Sequence, residues 1–215
     1  MRGKSLLFCI LLTIGSASCE KNRELTVGDF QAGQMDGWET RVFKGITRYR
    51  IVEHQGRKVL EGVSKGTASG LVKQAEIDLL RYPFIHWSWM TTRLMEHNDE
   101  RTKQGDDFPV RLFILIPGAV LLGDPQALNY VWSRNQPVGS SWPNPFISNA
   151  AMLAVESGGE RLNRWVSYKR NIREDLKRYL GVDANSTLAV ALMVDTDNTG
   201  QEARSYFGNI FFSEN

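Results

Sequence analysis

Between residues 47 and 212 the chain is cut into short runs of alternating or β-branched residues, with Gly, Pro and Asn between them. That spacing constrains the fold more than any other feature. Runs this short suit strands rather than helices, and their regular punctuation is the pattern of a β-sandwich or barrel. Residues 47–53 and 58–63 alternate, and His54-Gln55-Gly56-Arg57 joins them with the Gly of a hairpin turn. Further strands are expected over residues 71–77, 85–92, 110–116, 127–132, 150–156, 165–170, 188–195 and 205–212. One helix stands apart near 172–180. Asn171 can cap it, Glu174 completes a capping box, Ile172, Leu176 and Tyr179/Leu180 make its apolar face, and Gly181 can end it. A single short helix among about ten strands does not make an alternating α/β fold. The expectation is a mostly β protein, an antiparallel β-sandwich of jelly-roll type.

The first residues are of another kind. Arg2 and Lys4 precede an apolar run over residues 6–14, and Gly15-Ser16-Ala17-Ser18 are all small. That order is a secretory signal peptide over residues 1–18, and its apolar run is shorter than the roughly 20 residues that span a bilayer. Residues 19–28 read as a short tether and 29–215 as one domain. Removing residues 1–18 takes away two positive and no negative charges, so the formal +2 falls to zero. A neutral chain argues against a nucleic-acid partner. Of the two cysteines, Cys9 lies in the apolar run and Cys19 at the expected cleavage point. Cys19 is therefore a candidate lipidation site, although Ser16 stands where lipoprotein signals place Leu; ordinary cleavage nearby is the alternative. Acylation would fix the domain to a membrane surface facing the periplasm or exterior.

No Gly-x-Ser-x-Gly, HExxH, P-loop or CxxC string is present, and His54, His86 and His97 are scattered. The chemistry must come from other groups. Asp106 and Asp107 sit in Lys103-Gln104-Gly105-Asp106-Asp107-Phe108-Pro109, just before the strand expected over residues 110–116. Neighbours on an extended chain point to opposite faces, so one of the two is expected to cap the loop and the other is left for a ligand. Asp195-Thr196-Asp197-Asn198-Thr199-Gly200 follows a strand and has acids at alternate positions. It is not an EF-hand, because its twelfth position is Tyr206, but Asp195 and Asp197 leave Ca2+ open; otherwise no cofactor is expected. Trp87 and Trp89, and Tyr130 and Trp132, are pairs that share a strand face. They can stack on sugars or form core. Trp142, in a Pro-rich loop, is the ring most expected to be exposed. Arg134, Asn144, Arg170, Asn171 and Arg204 add basic and amide chemistry. Two long loops, 93–109 and 133–149, have the length of functional segments.

Gly37-Trp38, Ser69-Gly70-Leu71, Tyr82-Pro83, Trp87-Ser88-Trp89, the 103–111 string, Leu128-Asn129-Tyr130-Val131-Trp132, Asn144-Pro145, Arg170-Asn171, the 195–200 string and Tyr206-Phe207-Gly208 occur in an order that resembles the bacterial domain-of-unknown-function family 3047, over roughly residues 30–212. The resemblance implies an exported protein and supplies no activity. The opening Asp29-Phe30 with Gly37-Trp38 and the closing residues 206–212 also resemble the first and last strands of jelly-roll carbohydrate-binding modules, from which this chain departs by lacking a clear calcium ligand set at both ends.

Three functions follow in order. The first is an envelope protein that binds a glycan or other polar polymer without catalysis, through Asp106, Asp107, Arg111, Tyr130, Trp132, Trp142, Asn144, Arg170, Asp195, Asp197 and Asn198. The second is a polysaccharide-acting enzyme using two of Asp106, Asp107, Glu156, Asp195 and Asp197. The third is a structural lipoprotein with no small-molecule site. The observation that separates them is whether the 105–109 and 195–200 loops meet around one pocket.

Overall fold

The computed structural model describes residues 24–118 and 125–215. The expected signal peptide, Cys9 and the candidate lipidation site Cys19 lie outside the described residues. In chain order the strands are β1 (Leu25–Gly28), β2 (Trp38–Lys44), β3 (Arg48–His54), β4 (Arg57–Lys65), β5 (Ala68–Gln74), β6 (Phe84–Thr91), β7 (Arg111–Ile116), β8 (Gln126–Ser133), β9 (Ser141–Pro143), β10 (Ala150–Ser157), β11 (Val166–Asn171), β12 (Ala189–Asp195), β13 (Glu202–Phe207) and β14 (Ile210–Ser213), with helix α1 (Ile172–Leu180) between β11 and β12. Among the described residues no helix is long and apolar enough to cross a membrane.

The strands form two seven-stranded sheets packed as a sandwich. In the first, β4 lies between β3 and β13. Strands β13 and β14 run one after the other along one side of β6, β11 runs along its other side, and β1 flanks β14. The second is ordered β2-β5-β12-β7-β8-β10-β9. Alternation along each strand decides what lies between the sheets. Leu112, Ile114 and Ile116 of β7, Val190, Leu192 and Val194 of β12, and Leu128, Tyr130 and Trp132 of β8 all point inward and are buried. Trp87 and Trp89 of β6 meet them from the other sheet, and the Trp87 and Tyr130 rings stack at 5.1 Å. The paired aromatics therefore share a face as expected, but that face is the core.

Four expectations change. Residues 25–28, read as tether, form β1 and pair with β14. The 205–212 run is two strands broken at Gly208-Asn209, where the Gly208 N–H donates to the Ser88 carbonyl. Strand β2 was not anticipated, because its polar residues lie on a sheet edge and all but Trp38 are exposed. Finally, the sandwich is not wholly antiparallel: β8 and β10 are parallel. A parallel return needs a crossover of a dozen or more residues, which is why the 133–149 connection is long. Within it β9 pairs antiparallel with β10.

Helix α1 forms where expected because its signals are local. The Asn171 side chain accepts the Glu174 N–H at 3.3 Å, and Gly181 closes the helix with φ 70°. Ile172 and Leu176 are buried. Asp175 docks the helix, accepting the Tyr130 hydroxyl at 2.7 Å and the Arg170 Nε–H at 2.7 Å. Replacing Asn171 with Ala should lower the unfolding free energy by about 1 kcal/mol, read from urea denaturation; an unchanged midpoint would show that the tertiary bonds at Asp175 alone hold the helix.

Candidate functional site

The two strings singled out by sequence meet in space. Arg111, the first residue of β7, lies opposite Met193 of β12 with its side chain on the outer face of the second sheet. Its guanidinium is buried with 4% exposure, and so it needs partners. Nε donates to one Asp195 oxygen at 2.8 Å and Nη2 to the other. Nη1 donates to Asp106 Oδ2 at 3.2 Å, Nη2 also donates to the Asp106 carbonyl, and the guanidinium lies 4.5 Å over the Phe108 ring. Asp107 points the other way. Its Oδ1 accepts the Asn198 backbone N–H at 3.2 Å and side-chain amide at 3.1 Å, and its Oδ2 accepts the Thr199 N–H at 2.6 Å. The expectation that one acid caps a loop is met by Asp107, and the loop it caps is the 195–200 turn. Gly105 is required beside them, because a Cβ there would lie 2.3 Å from the Asp99 carbonyl oxygen.

These contacts set the electrostatics. Burial pushes the Asp195 carboxyl well up, and Asp106 and Asp107 add to that while Arg111 opposes it. Burial also raises Asp106, with Arg111 again opposing and Asp107 and Asp197 adding. For Arg111, burial alone would favour loss of its proton, but Asp106 and Asp195 outweigh it and hold the guanidinium charged. Oxygens of Asp107, Asp195 and Asp197 lie within 4.8 Å of one another, a spacing at which they could hold an ion.

The cluster closes one end of a groove on the outer face of the second sheet. A cleft of about 270 Å³ is lined by Asp106, Arg111, Asn144, Asp195, Asp197 and Asn198 together with Phe43, Ala68, Phe113, Phe146, Ile147 and Met193. A larger cleft of about 600 Å³ shares Phe43, Phe113, Ile147 and Met193 with it and runs on to Glu39, Arg41, Leu115, Pro125 and Asn149. The pairing explains the shape. Arg41, Gly70, Met193 and Arg111 lie side by side across β2, β5, β12 and β7, and Glu39, Val72, Ala191 and Phe113 form the next row. Small residues in the middle make the floor low. At the edge, a bulge between Val42 and Lys44 inserts Phe43 as an extra residue. The bulge raises the exposed Phe43 ring on the groove's lip. Phe146 and Ile147, both exposed, stand on the opposite lip. Their loop is fixed by Asn144, whose Oδ1 accepts both of their N–H groups at 2.9 Å.

Other expected site residues lie elsewhere. Tyr130 and Trp132 are core, and Trp132 Nε1 donates to the Gly158 carbonyl at 3.0 Å. Arg170 belongs to the α1 dock. Trp142 is a correction: it is buried, 6.4 Å from the Phe108 ring, with Nε1 donating to the Glu100 carbonyl. The β9–β10 pairing carries it inward despite the prolines around it. Glu156 is engaged by Arg161 and Tyr168, Arg134 by the Met95 carbonyl, and Arg204 by Glu61. Sequence reasoning missed Glu39, Arg41, Lys44 and the apolar residues Phe43, Phe113, Phe146, Ile147 and Met193. The adjacent Val42-Phe43 pair, which breaks the alternation of β2, was the available signal. It also missed Glu100. That buried carboxylate accepts the Ser133 hydroxyl and the Arg134 N–H, so it locks the two long loops together.

The model of the family described as protein of unknown function (DUF3047) matches residues 36–211. No curated protein matches the chain. Among solved structures, the fold is similar to the family 11 carbohydrate-binding module of a cellulosomal cellulase of Clostridium thermocellum, with TM-score 0.52 and 12% identity over 90% of this chain and 96% of that one. A family 11 carbohydrate-binding module from Clostridium thermocellum in complex with a β-1,3-1,4-mixed-linked tetrasaccharide gives TM-score 0.48 and 11% identity over 88% and 95% of the two chains. The adhesin domain of Lys-gingipain from Porphyromonas gingivalis gives TM-score 0.43 and 8% identity over 90% and 99%. At these identities the likeness is one of fold.

Arg111→Met should cost about 3–5 kcal/mol at neutral pH, because Asp106 and Asp195 stay buried without their cation. Both carboxyls titrate above their unfolded values, so the folded protein holds their protons more tightly and stability from them falls as pH rises through the folded values. Arg111 opposes that rise, so without it both carboxyls move further up, and the deficit of Arg111→Met should shrink as pH is lowered toward about 4 and they take up protons. Urea denaturation across that range checks it, and a deficit independent of pH would count against unpaired charge as the cause.

Proposed function

We propose that this chain, which belongs to the family of proteins of unknown function DUF3047, is an exported, non-catalytic module that binds a glycan along the groove on the outer face of its second sheet. One observation carries the reading: the two clefts are continuous through Phe43, Phe113, Ile147 and Met193, with polar groups at both ends. A sugar ring has an apolar face and a polar edge. Phe43, Phe113 and Phe146 offer surfaces to the first, and Glu39, Arg41, Asn144, Asp197 and Asn198 offer bonds to the second. The fold likeness to a carbohydrate-binding module agrees with this and does not establish it. Export rests on the residue order over 1–18, and membrane attachment on acylation of Cys19.

Binding is favoured over hydrolysis because of what the carboxylates already do. A retaining pair stands about 5 Å apart and an inverting pair about 6.5–9.5 Å, and both must face one glycosidic bond. Asp107 is fully buried and spent on the 195–200 turn; Asp195 is 2% exposed and spent on Arg111. Those bonds weigh against calcium as well. An ion there would compete with Arg111 for Asp195 and with amide N–H groups for Asp107, whereas Ca2+ takes six to eight oxygens. A purely structural role leaves the groove and its raised Phe43 ring without purpose.

Calorimetric titration of the purified protein with β-glucan hexasaccharides should show binding. Phe43→Ala should weaken it about tenfold or more, as loss of an anchoring ring does, with unchanged thermal stability because the ring is exposed. Absence of binding to any glycan at about millimolar ligand, which corresponds to roughly −4 kcal/mol, would sink the proposal.

A further inference from the structure

The closed end of the groove has unspent negative charge. Asp106, Asp107, Asp195 and Asp197 meet there around Arg111. Two of the four are used up internally, Asp195 by Arg111 and Asp107 by the turn amides. The other two face the groove. Asp106 lines it, is 4% exposed, and gives only Oδ2 to Arg111; its Oδ1 is buried without a hydrogen-bond partner. A buried acceptor with no donor is costly, and a small shift of the Asp106 carboxylate toward the groove would let a ligand donor satisfy it. Asp197 also lines the groove, with its side chain 16% exposed.

The chain's own lysines show which donor suits the place. Lys44 Nζ donates to the Asp197 carbonyl at 2.9 Å and lies 3.7 Å from its Oδ2, on a side chain that is 64% exposed. On the opposite lip Lys103 Nζ stands 5.4 Å from the centre of the Phe146 ring. Both lips thus hold a primary ammonium, one on a carboxylate and one on an aromatic face, and neither lysine is among the residues lining the cleft between them. An exposed ion pair such as Lys44–Asp197 is worth little and is readily displaced.

Resting on the glycan reading above, we propose that this end of the groove is a subsite for a protonated amine: the oxygens of Asp106 and Asp197 accept its N–H groups, and Phe43, Phe113 and Phe146 surround it. The glycan selected then carries free amino groups, as polymers of glucosamine do. Acidic sugars are repelled by the same carboxylates. An ammonium suits the site better than a divalent ion, because the cluster offers few uncommitted oxygens and Arg111 repels a double charge more strongly than a single one.

The test compares hexasaccharides of β-1,4-linked glucosamine, N-acetylglucosamine and glucose, and a uronate oligomer, by calorimetry on the purified protein. The glucosamine oligomer should bind about tenfold tighter than the glucose oligomer at low salt, the scale of one charge-assisted hydrogen bond. That advantage should fade at high salt, and the uronate should bind weakest. Asp197→Asn should abolish the advantage, weakening glucosamine binding about tenfold more than glucose binding. Lys44→Ala should strengthen binding of glucosamine only. Equal affinities for glucosamine and glucose, or a tenfold advantage that survives Asp197→Asn, overturn the inference while the glycan reading stands. No binding of any oligosaccharide overturns both. A rise in melting temperature with calcium chloride alone, lost in Asp197→Asn, would assign these oxygens to a metal and overturn the amine subsite.

Discussion

Arg111 puts a full positive charge almost out of contact with water at the start of β7. A charge so placed is tolerable only with close partners of opposite sign, and they come from two directions. Asp195 arrives at the end of β12, on the neighbouring strand, and Asp106 comes from the loop before β7. Asp106 sits at the centre of a tight turn, where the Asp107 N–H donates to the Gly105 carbonyl at 2.8 Å, and the turn sends the next side chain the other way. Asp107 therefore reaches the turn after β12 and fixes Asn198 and Thr199 by their N–H groups. Thr196 ties the same turn to the β4–β5 hairpin through Ser64 and the Gly66 N–H. One buried cation thus organises a loop, a turn and the end of a groove.

The groove itself is a product of sheet chemistry. Both faces of the second sheet are largely apolar, but only one packs on the other sheet. Part of the outer face is covered by the long loops, where Phe108 and Trp142 close over Val131, Met152 and Ala154. The loops can do this because Glu100 satisfies their backbone and because the parallel β8–β10 pair demands a long crossover. What they leave uncovered is a trough over Gly70, Ala191 and Phe113.

Sequence was most legible where its signals are local. The α1 caps lie within four residues of the turns they close, so the helix could be bounded correctly. Alternation located most strands, and it paired Trp87 with Trp89 and Tyr130 with Trp132. It could not say which face those pairs occupy, since the same period describes a row of sugar platforms and a row of core residues. Trp142 misled for a related reason: prolines on both sides suggest exposure, but its burial depends on pairing with a strand that returns from elsewhere. The Asp106-Asp107 and Asp195–Gly200 strings were legible as special, and Arg111 as a candidate beside them, but its role as the buried cation that joins them was not, because it depends on burial and on strands that pair from far apart in sequence.

The residues that make the site and those that make the fold are largely different sets. The sandwich is held by Trp87, Trp89, Tyr130, Ile114 and neighbours that lie away from the groove, with Leu192 shared between core and groove floor. The lips are held by devices that cost the core nothing: a bulge that lifts Phe43 and an Asn144 side chain that shapes the turn beneath Phe146 and Ile147. Such lips can change without disturbing the sheets. A shared sandwich at 12% identity is therefore compatible with a ligand set by this chain's own groove. Here the groove differs from a plain aromatic platform in one respect, its carboxylate end. Asp106 cannot turn away from the groove without giving up Arg111, so the unpaired oxygen buried at the groove's end is a direct consequence of the buried cation behind it.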